Sequence, residues 1–313
     1  MADIIVTGGA GFIGSNLVER LFSEGYSIAV IDDLSTGFKE NLPEQVRLHR
    51  VDIRSAVVRR IFEIENPKVL FHLAAQLDVR KSVADPVFDA DVNVMGTINL
   101  LNQAVESGVE KVVFTSTGGA VYGEQEYFPA DENHPTNPDS PYGITKLAAE
   151  KYVQVYYKVH GLKYTILRLA NIYGPRQSTI GEAGVVASFY ERFLSGDEAV
   201  IYGDGRQTRD FVYVGDVVDA AVLSMKYPES DIFNIGTAKE TSVTELFRAM
   251  VKISGAEQKE KYAQARKGEQ YRSVVSHDKI TKKMGWKPKT DLSTGLQHTY
   301  EYFKNKRLQL ASH

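Results

Sequence analysis

The chain has 313 residues, 43% hydrophobic and 25% charged, enough to bury a substantial core in one large globular unit or two smaller domains. It contains no cysteine, which excludes thiol nucleophiles, disulfides and cysteine metal sites, and no metal is expected. The formal net charge is −3 with no basic block, which argues against a nucleic-acid partner; the opening MADIIVTGG carries neither a basic n-region nor a long apolar run, so a cytoplasmic protein without a membrane span is expected.

Short β-branched runs alternate with helical patterns from the first residues. Strands are expected at Asp3–Thr7, Ser27–Ile31, Val46–Val51, Val69–Leu73, Lys111–Thr115 and Tyr164–Leu169. Helices are expected between most of them, at Phe12–Phe22, Val57–Glu65, Phe88–Glu106 and Tyr142–Val159. This rhythm predicts an α/β fold, a Rossmann-type doubly wound parallel sheet, over residues 1–170. After residue 171 loops rich in glycine and proline appear (NIYGPRQ, IYGDGRQTRD), and residues 171–313 are expected to form mainly a smaller α/β C-terminal substrate domain. Segments near 208–234 are read as possible returns to the first domain, and the crevice at the carboxyl ends of the strands as the ligand site.

IIVTGGAGFIGSNLVERL sets Gly9, Gly11 and Gly14 in GxGxxG spacing after a strand and into a helix; Gly8, Gly11 and Gly14 fit GxxGxxG. Such glycines let the backbone approach a pyrophosphate, whose charge then sits at the helix N-terminus. Asp32 ends the second strand, where its carboxylate can accept from ribose hydroxyls and would repel a 2′-phosphate. With Asp33 beside it and no neighbouring arginine, NAD is expected rather than NADP.

Tyr142 and Lys146 stand one helical turn apart, on one face. A tyrosine titrates near pH ~10, and bringing it to neutrality takes about 4 kcal/mol. A lysine charge about 4 Å away at an effective dielectric of ~20 supplies roughly that. The pair is therefore a candidate general base. The spacing alone does not single it out, because Tyr300–Lys304 and Tyr302–Lys306 repeat it on what reads as a solvated helix face.

TGGAGFIGSNL, DDLSTG, Asp52-Ile53, HLAAQ, TST, VYGE and YGITK together resemble the extended short-chain dehydrogenase/reductases. GDGRQTRDFVYVGDV and ARKGEQYRSVVSHDKITKKMGWKP extend the resemblance along the whole chain to the UDP-glucose (UDP-galactose) 4-epimerase branch. The resemblance implies that Phe12 and Ile13 join the glycines at the cofactor, that Asp52 and Ile53 flank its adenine, and that Leu73, Ala74, Ala75 and Gln76 line the NAD. Asn93 would support the site from the helix behind. His72 is read as a core histidine and His134 as a loop residue.

The implied mechanism has Tyr142 take the proton of the sugar 4-hydroxyl while the 4-hydrogen leaves as hydride to NAD. Lys146 stabilises the phenolate and holds the nicotinamide ribose; the 4-keto sugar then turns over in the pocket and regains the hydride on its other face. Family members carry a Ser or Thr where this chain has Gly118, so Thr117, with Ser116 as alternative, is expected to supply that hydroxyl. Gly118 and Gly119 also replace the Asp-Glu pair of the related 4,6-dehydratases, which weighs against elimination. For the substrate, the resemblance implies Arg209 and Arg266 at the diphosphate, Asn171 at the phosphates, Val200 and Tyr202 beside uracil, Glu269 on the nucleotide ribose and Ser273 beside the sugar. The small Ser273 suggests that N-acetylated sugars fit as well. A homodimer built on Phe88–Glu106 and Tyr142–Val159 is implied. Alternative readings are a UDP-N-acetylglucosamine or UDP-glucuronate 4-epimerase and, outside enzymes, an NAD-binding sensor.

Overall fold

β-branched runs with helices between them leave a chain little choice but a covered parallel sheet, and that is how the first half folds in this computed structural model, which describes residues 1–179, 184–265 and 270–311. In chain order, β1 (Ile4–Thr7), α1 (Phe12–Ser23), β2 (Ile28–Asp32), β3 (Arg47–Arg50), α2 (Val57–Glu65) and β4 (Val69–His72) are followed by α3 (Val79–Ala84) and α4 (Pro86–Ala90). A π-helical turn (Asp91–Met95) leads into α5 (Gly96–Glu106), β5 (Lys111–Thr117), α6 (Pro141–His160) and β6 (Lys163–Leu169). Then come β7 (Asn171–Tyr173), α7 (Val185–Ser195), β8 (Ile201–Tyr202), β9 (Thr208–Arg209), β10 (Phe211–Tyr213), α8 (Val214–Lys226) and β11 (Asp231–Ile235). The chain closes with β12 (Thr241–Ser242), α9 (Val243–Ser254), β13 (Tyr262–Ala263), β14 (Arg272–Ser273), α10 (Asp278–Met284) and α11 (Leu292–Ala311).

Seven strands form one parallel sheet in the order β11-β6-β5-β4-β1-β2-β3. The order reverses between β1 and β4, where a doubly wound sheet opens its ligand crevice. One face is covered by α1 and α8, whose Leu17, Val18, Leu21, Val217 and Val218 share a core with Phe233 of β11 and with Ile280 and Trp286. The other face is covered by α2, α5 and α6 through Phe62, Leu100, Leu101, Ala104, Ala149 and Val153. A third core joins α7, α9 and α11 through Phe189, Tyr190, Phe193, Phe247, Leu296 and Phe303.

The fold differs from the sequence expectation in three places. The return to the sheet reaches past residue 234: β11 pairs with β6, and Trp286 donates its indole N–H to the Asp216 carbonyl. Phe211–Tyr213, by contrast, pairs with β7 outside the large sheet. The single helix expected over Phe88–Glu106 is interrupted by the π turn, which follows from the inward-turned Asn93 described below.

Candidate active site

Gly8 follows β1 with φ +68°, and a Cβ there would stand 2.7 Å from the Ala74 nitrogen, so the loop after β1 lies flat against the loop after β4. A Cβ on Gly14 would come within 2.1 Å of the Gly8 carbonyl oxygen. Gly9 instead packs on Val30, which makes Gly8, Gly11 and Gly14 the set that shapes the cradle. Gly11 is the N-cap of α1 and offers no side chain to its first N–H groups, which stay available to a phosphate. This cradle fits a dinucleotide. Phe12 and Ile13 open α1, and Ile13 packs on the core.

Asp32 sits at the edge of the cradle. Its carboxylate accepts from the Ala10 and Leu34 N–H groups, each at 2.9 Å, and burial raises its pKa. Asp33 is exposed and caps Ser35. Asp52 is paired with Arg54, which holds it below the usual carboxylate range and also reaches Asp91. Ile53 is buried under Gly96.

Leu73, Ala74 and Ala75 are half-buried along the crevice. Thr7 Oγ1 accepts from the Leu73 and Ala74 N–H groups and donates to His72 Nδ1. Thr97 already donates to the Asn93 carbonyl, so His72 Nε2 carries the proton and donates to Thr97. Burial pushes His72 down to about 3, and it is a neutral core residue. Gln76 differs from the expectation, because its amide turns inward to Asp78 and Asp89 rather than towards the crevice. Asn93 grips the backbone of Gln76 on both sides, accepting from its N–H and donating to its carbonyl, each at 2.9 Å. His134, read as a loop residue, is buried in its loop, where Nε2 accepts from the Glu126 N–H.

Ser140 caps α6 by accepting from the Gly143 N–H, Pro141 occupies the first turn, and Tyr142 follows with its N–H bonded to Ser82. Gly143 is pressed against the Ala120 carbonyl, so the start of α6 seats on the loop after β5. Lys146 is buried, its Nζ 4.2 Å from the centroid of the Phe114 ring. Desolvation pushes it down to about 8, opposed by the charges of Glu150 and Asp89. Lys304 and Lys306, which share the tyrosine spacing, are exposed.

The two candidate hydroxyls point to opposite faces of β5. Ser116 donates to the buried Glu150, which Arg168 grips with Nε at 3.0 Å and Nη2 at 2.7 Å, so Ser116 belongs to the scaffold beneath the site. Thr117 Oγ1 accepts from the Ala120 N–H at 3.2 Å, which leaves its own proton to donate. A Cβ on Gly119 would lie 3.8 Å from Thr117 Oγ1 and 3.9 Å from Ser273 Oγ, so both hydroxyls face one gap.

Ser273 is buried on β14, in register with Arg209 of the neighbouring β9. The Asn171 N–H bonds the Asp210 carbonyl and the Asp210 N–H bonds the Ser273 carbonyl, which links the three expected substrate segments through one residue. Val200 is half-buried and Tyr202 exposed on the rim, where β8 pairs with β13. Arg266 and Glu269 lie outside the described residues.

Sequence reasoning missed Asp89, Thr145, Glu150 and Asp210. Asp89 precedes Asn93 by four residues, the one hint that both face inward together.

The model of the NAD dependent epimerase/dehydratase family matches residues 4–236. A putative UDP-glucose 4-epimerase of Methanocaldococcus jannaschii is 44% identical over 302 residues, 96% of this chain and 98% of that protein. The crystal structure of the Thermotoga maritima UDP-glucose 4-epimerase with UDP-glucose is 45% identical with a TM-score of 0.96, covering 97% of this chain and 99% of that one. The Thermus thermophilus UDP-glucose 4-epimerase in complex with NAD is 44% identical with a TM-score of 0.92, covering 96% and 98%. With the cradle, the Tyr142–Lys146 helix and these likenesses together, the chain belongs to the NAD dependent epimerase/dehydratase family, as an extended short-chain dehydrogenase/reductase.

Proposed function

We propose that the chain is a UDP-hexose 4-epimerase that interconverts UDP-glucose and UDP-galactose by transient oxidation at sugar C4. The observation that carries this reading is the gap at Gly119. It is walled by the Thr117 and Ser273 hydroxyls, and glycine stands where elimination would need an acid and a base. Gly8–Gly14, Asp32 and Leu73–Ala75 would hold NAD, which would supply the hydride acceptor and, on the return, the donor. Tyr142 takes the proton of the 4-hydroxyl and later gives it back, so one group serves both directions. Lys146, poised near pH 8, favours the phenolate by its charge. Thr117 donates its one free proton towards the sugar 4-oxygen. Arg209, Asn171 and Ser273 hold the substrate from the second unit, with Arg266, Glu269, Val200 and Tyr202 completing its contacts.

Ser273 favours a second activity. It is small and buried beside the gap, so the sugar carries a 2-N-acetyl group without a clash and UDP-N-acetylglucosamine is also turned over. Purified protein is incubated without added cofactor with UDP-glucose, UDP-galactose, UDP-N-acetylglucosamine and UDP-glucuronate, and the products are resolved by chromatography. Equilibration of the first two establishes the activity and retained NAD together. An inert N-acetyl sugar sinks the second activity; glucuronate as the sole substrate sinks the first. Retention of Tyr142 and Lys146 speaks against a non-catalytic NAD sensor.

The protein works as a homodimer in the cytoplasm. Ile144, Tyr152, Val155 and Val159 are exposed on α6, with Met95 exposed at the start of α5 and Val87 on α4, a face suited to a second copy. Among the described residues no helix is long and apolar enough to cross a membrane.

A further inference from the structure

Asp89 is fully buried on α4, and its carboxylate touches only neutral donors. Oδ1 accepts from Gln76 Nε2 at 2.7 Å and Asn93 Nδ2 at 3.3 Å, and Oδ2 accepts from Thr145 Oγ1 at 2.6 Å. Acceptance at both oxygens is the pattern of a carboxylate. The three donors stand on the loop after β4, on the π turn and on α6, which are the segments that frame the crevice. A buried anion is costly unless an opposite charge is close.

The opposite charge is Lys146, next in sequence to Thr145. The charged and titratable groups that act on it are Glu150 from its own helix, Asp89 from α4 and His72 from β4, with Tyr142 one turn before it on the same helix. His72 is neutral, and Glu150, whose charge acts on Lys146 more strongly than that of Asp89, is itself gripped twice by Arg168. Asp89 is the other acid whose charge acts on Lys146, and among the described residues its carboxylate bonds no cation.

We propose that Asp89 is the positioning residue of this site: it ties Gln76, Asn93 and Thr145 into one register and adds its charge to that of Glu150 in keeping Lys146 an ammonium beside Tyr142. The proposal rests on the assignment of Tyr142 and Lys146 as the reacting pair. Removing a buried negative charge lowers the pKa of every group it faces. In Asp89→Asn both limbs of the kcat–pH profile therefore move to lower pH by about one unit. Turnover at pH 8.5 falls about tenfold, more than at pH 6.5. Thr145→Val, which removes a hydrogen bond and no charge, lowers kcat with both limbs in place.

A second measurement is independent of turnover. The ultraviolet absorbance difference between the NAD-loaded protein and its Tyr142→Phe form, taken across pH, reads the ionisation of Tyr142, and Asp89→Asn moves that titration to lower pH. A profile merely scaled down, with the Tyr142 titration unmoved, overturns the proposal and leaves Asp89 a strut. If Asp89→Asn folds poorly, Asp89→Glu keeps the charge and must keep both limbs; displaced limbs there also overturn it. A Tyr142 titration that shifts in a protein inactive on every nucleotide sugar upholds the role of Asp89 while sinking the epimerase reading.

Discussion

At the scale of single residues, burial separates groups that spacing leaves alike. Lys146 is 4% exposed, and desolvation brings it from 10.5 down to about 8. The sign follows directly: the ammonium is present below that value and is lost as pH rises through it, so kcat falls on the alkaline side near pH 8, and a pH profile of saturated turnover checks this. A limb near 10 would mean that the lysine keeps the pKa of an exposed one. The same logic divides the two hydroxyls. Thr117→Ala removes a donor at the gap and lowers kcat about a hundredfold, the lower range for a group assisting proton transfer. Ser116→Ala leaves the buried Glu150 short of a donor, costs about 1–3 kcal/mol and lowers the denaturation midpoint. Equal effects of both changes on kcat, with no loss of stability for Ser116→Ala, would contradict the assignment. The alternation of a strand is readable from sequence, but which face of β5 meets the substrate is not until α6 is docked.

At the scale of elements, the substrate half of the site hangs on Asp210, between β9 and β10. Its carboxylate accepts from the Thr237 N–H and hydroxyl, the Ala238 N–H and the Val275 N–H, while its backbone holds Asn171 and Ser273. Burial pushes it up to about 6. The raised value means that the ordered loop takes up the proton more readily than an opened one, so as pH falls through about 6 protonation favours the ordered loop that aligns Arg209 with Ser273. KM for the nucleotide sugar is therefore expected to fall as pH drops below 6, and Asp210→Asn, which turns an amide against backbone donors, to raise it about tenfold at pH 7.5 with a smaller effect on kcat. A pH-independent KM in the variant, set against the acid-side fall in the parent, is the measurement that links the two. Strands and long helices were legible because their periodicity is local, and so was the glycine cradle, whose spacing is its geometry. The π turn was not, because Asn93 leaves the α-helical pattern only to reach Gln76, seventeen residues away in sequence. Asp89 and Asp210 were equally hidden: an acid in a sequence reads as solvated until tertiary packing encloses it.

At the scale of the whole molecule, the sheet and its two flanking layers leave one apolar face uncovered. Ile144, Ala148, Tyr152, Val155 and Val159 fall within roughly 80° of arc on α6 at 100° per residue, and Ile144, Tyr152, Val155 and Val159 are each at least 41% exposed. The opposite side of the same helix carries Lys146, Ala149, Glu150 and Val153 into the core. One helix therefore presents Lys146 inward and an apolar stripe outward. A stripe that long is unusual on a lone globular protein and matches what a stable interface of about 800 Å² per partner needs at its centre. Val155→Glu combined with Tyr152→Glu places like charges face to face across a two-fold axis, where each residue meets its own neighbourhood on the second copy. Sedimentation is then expected to give a monomer in the variant and a dimer in the parent. Because α6 anchors Tyr142 and Lys146, the monomer also loses activity in proportion to how far the helix loosens, read as a lower kcat at unchanged product identity. A parent protein that sediments as a monomer at every concentration would show that the stripe serves another purpose.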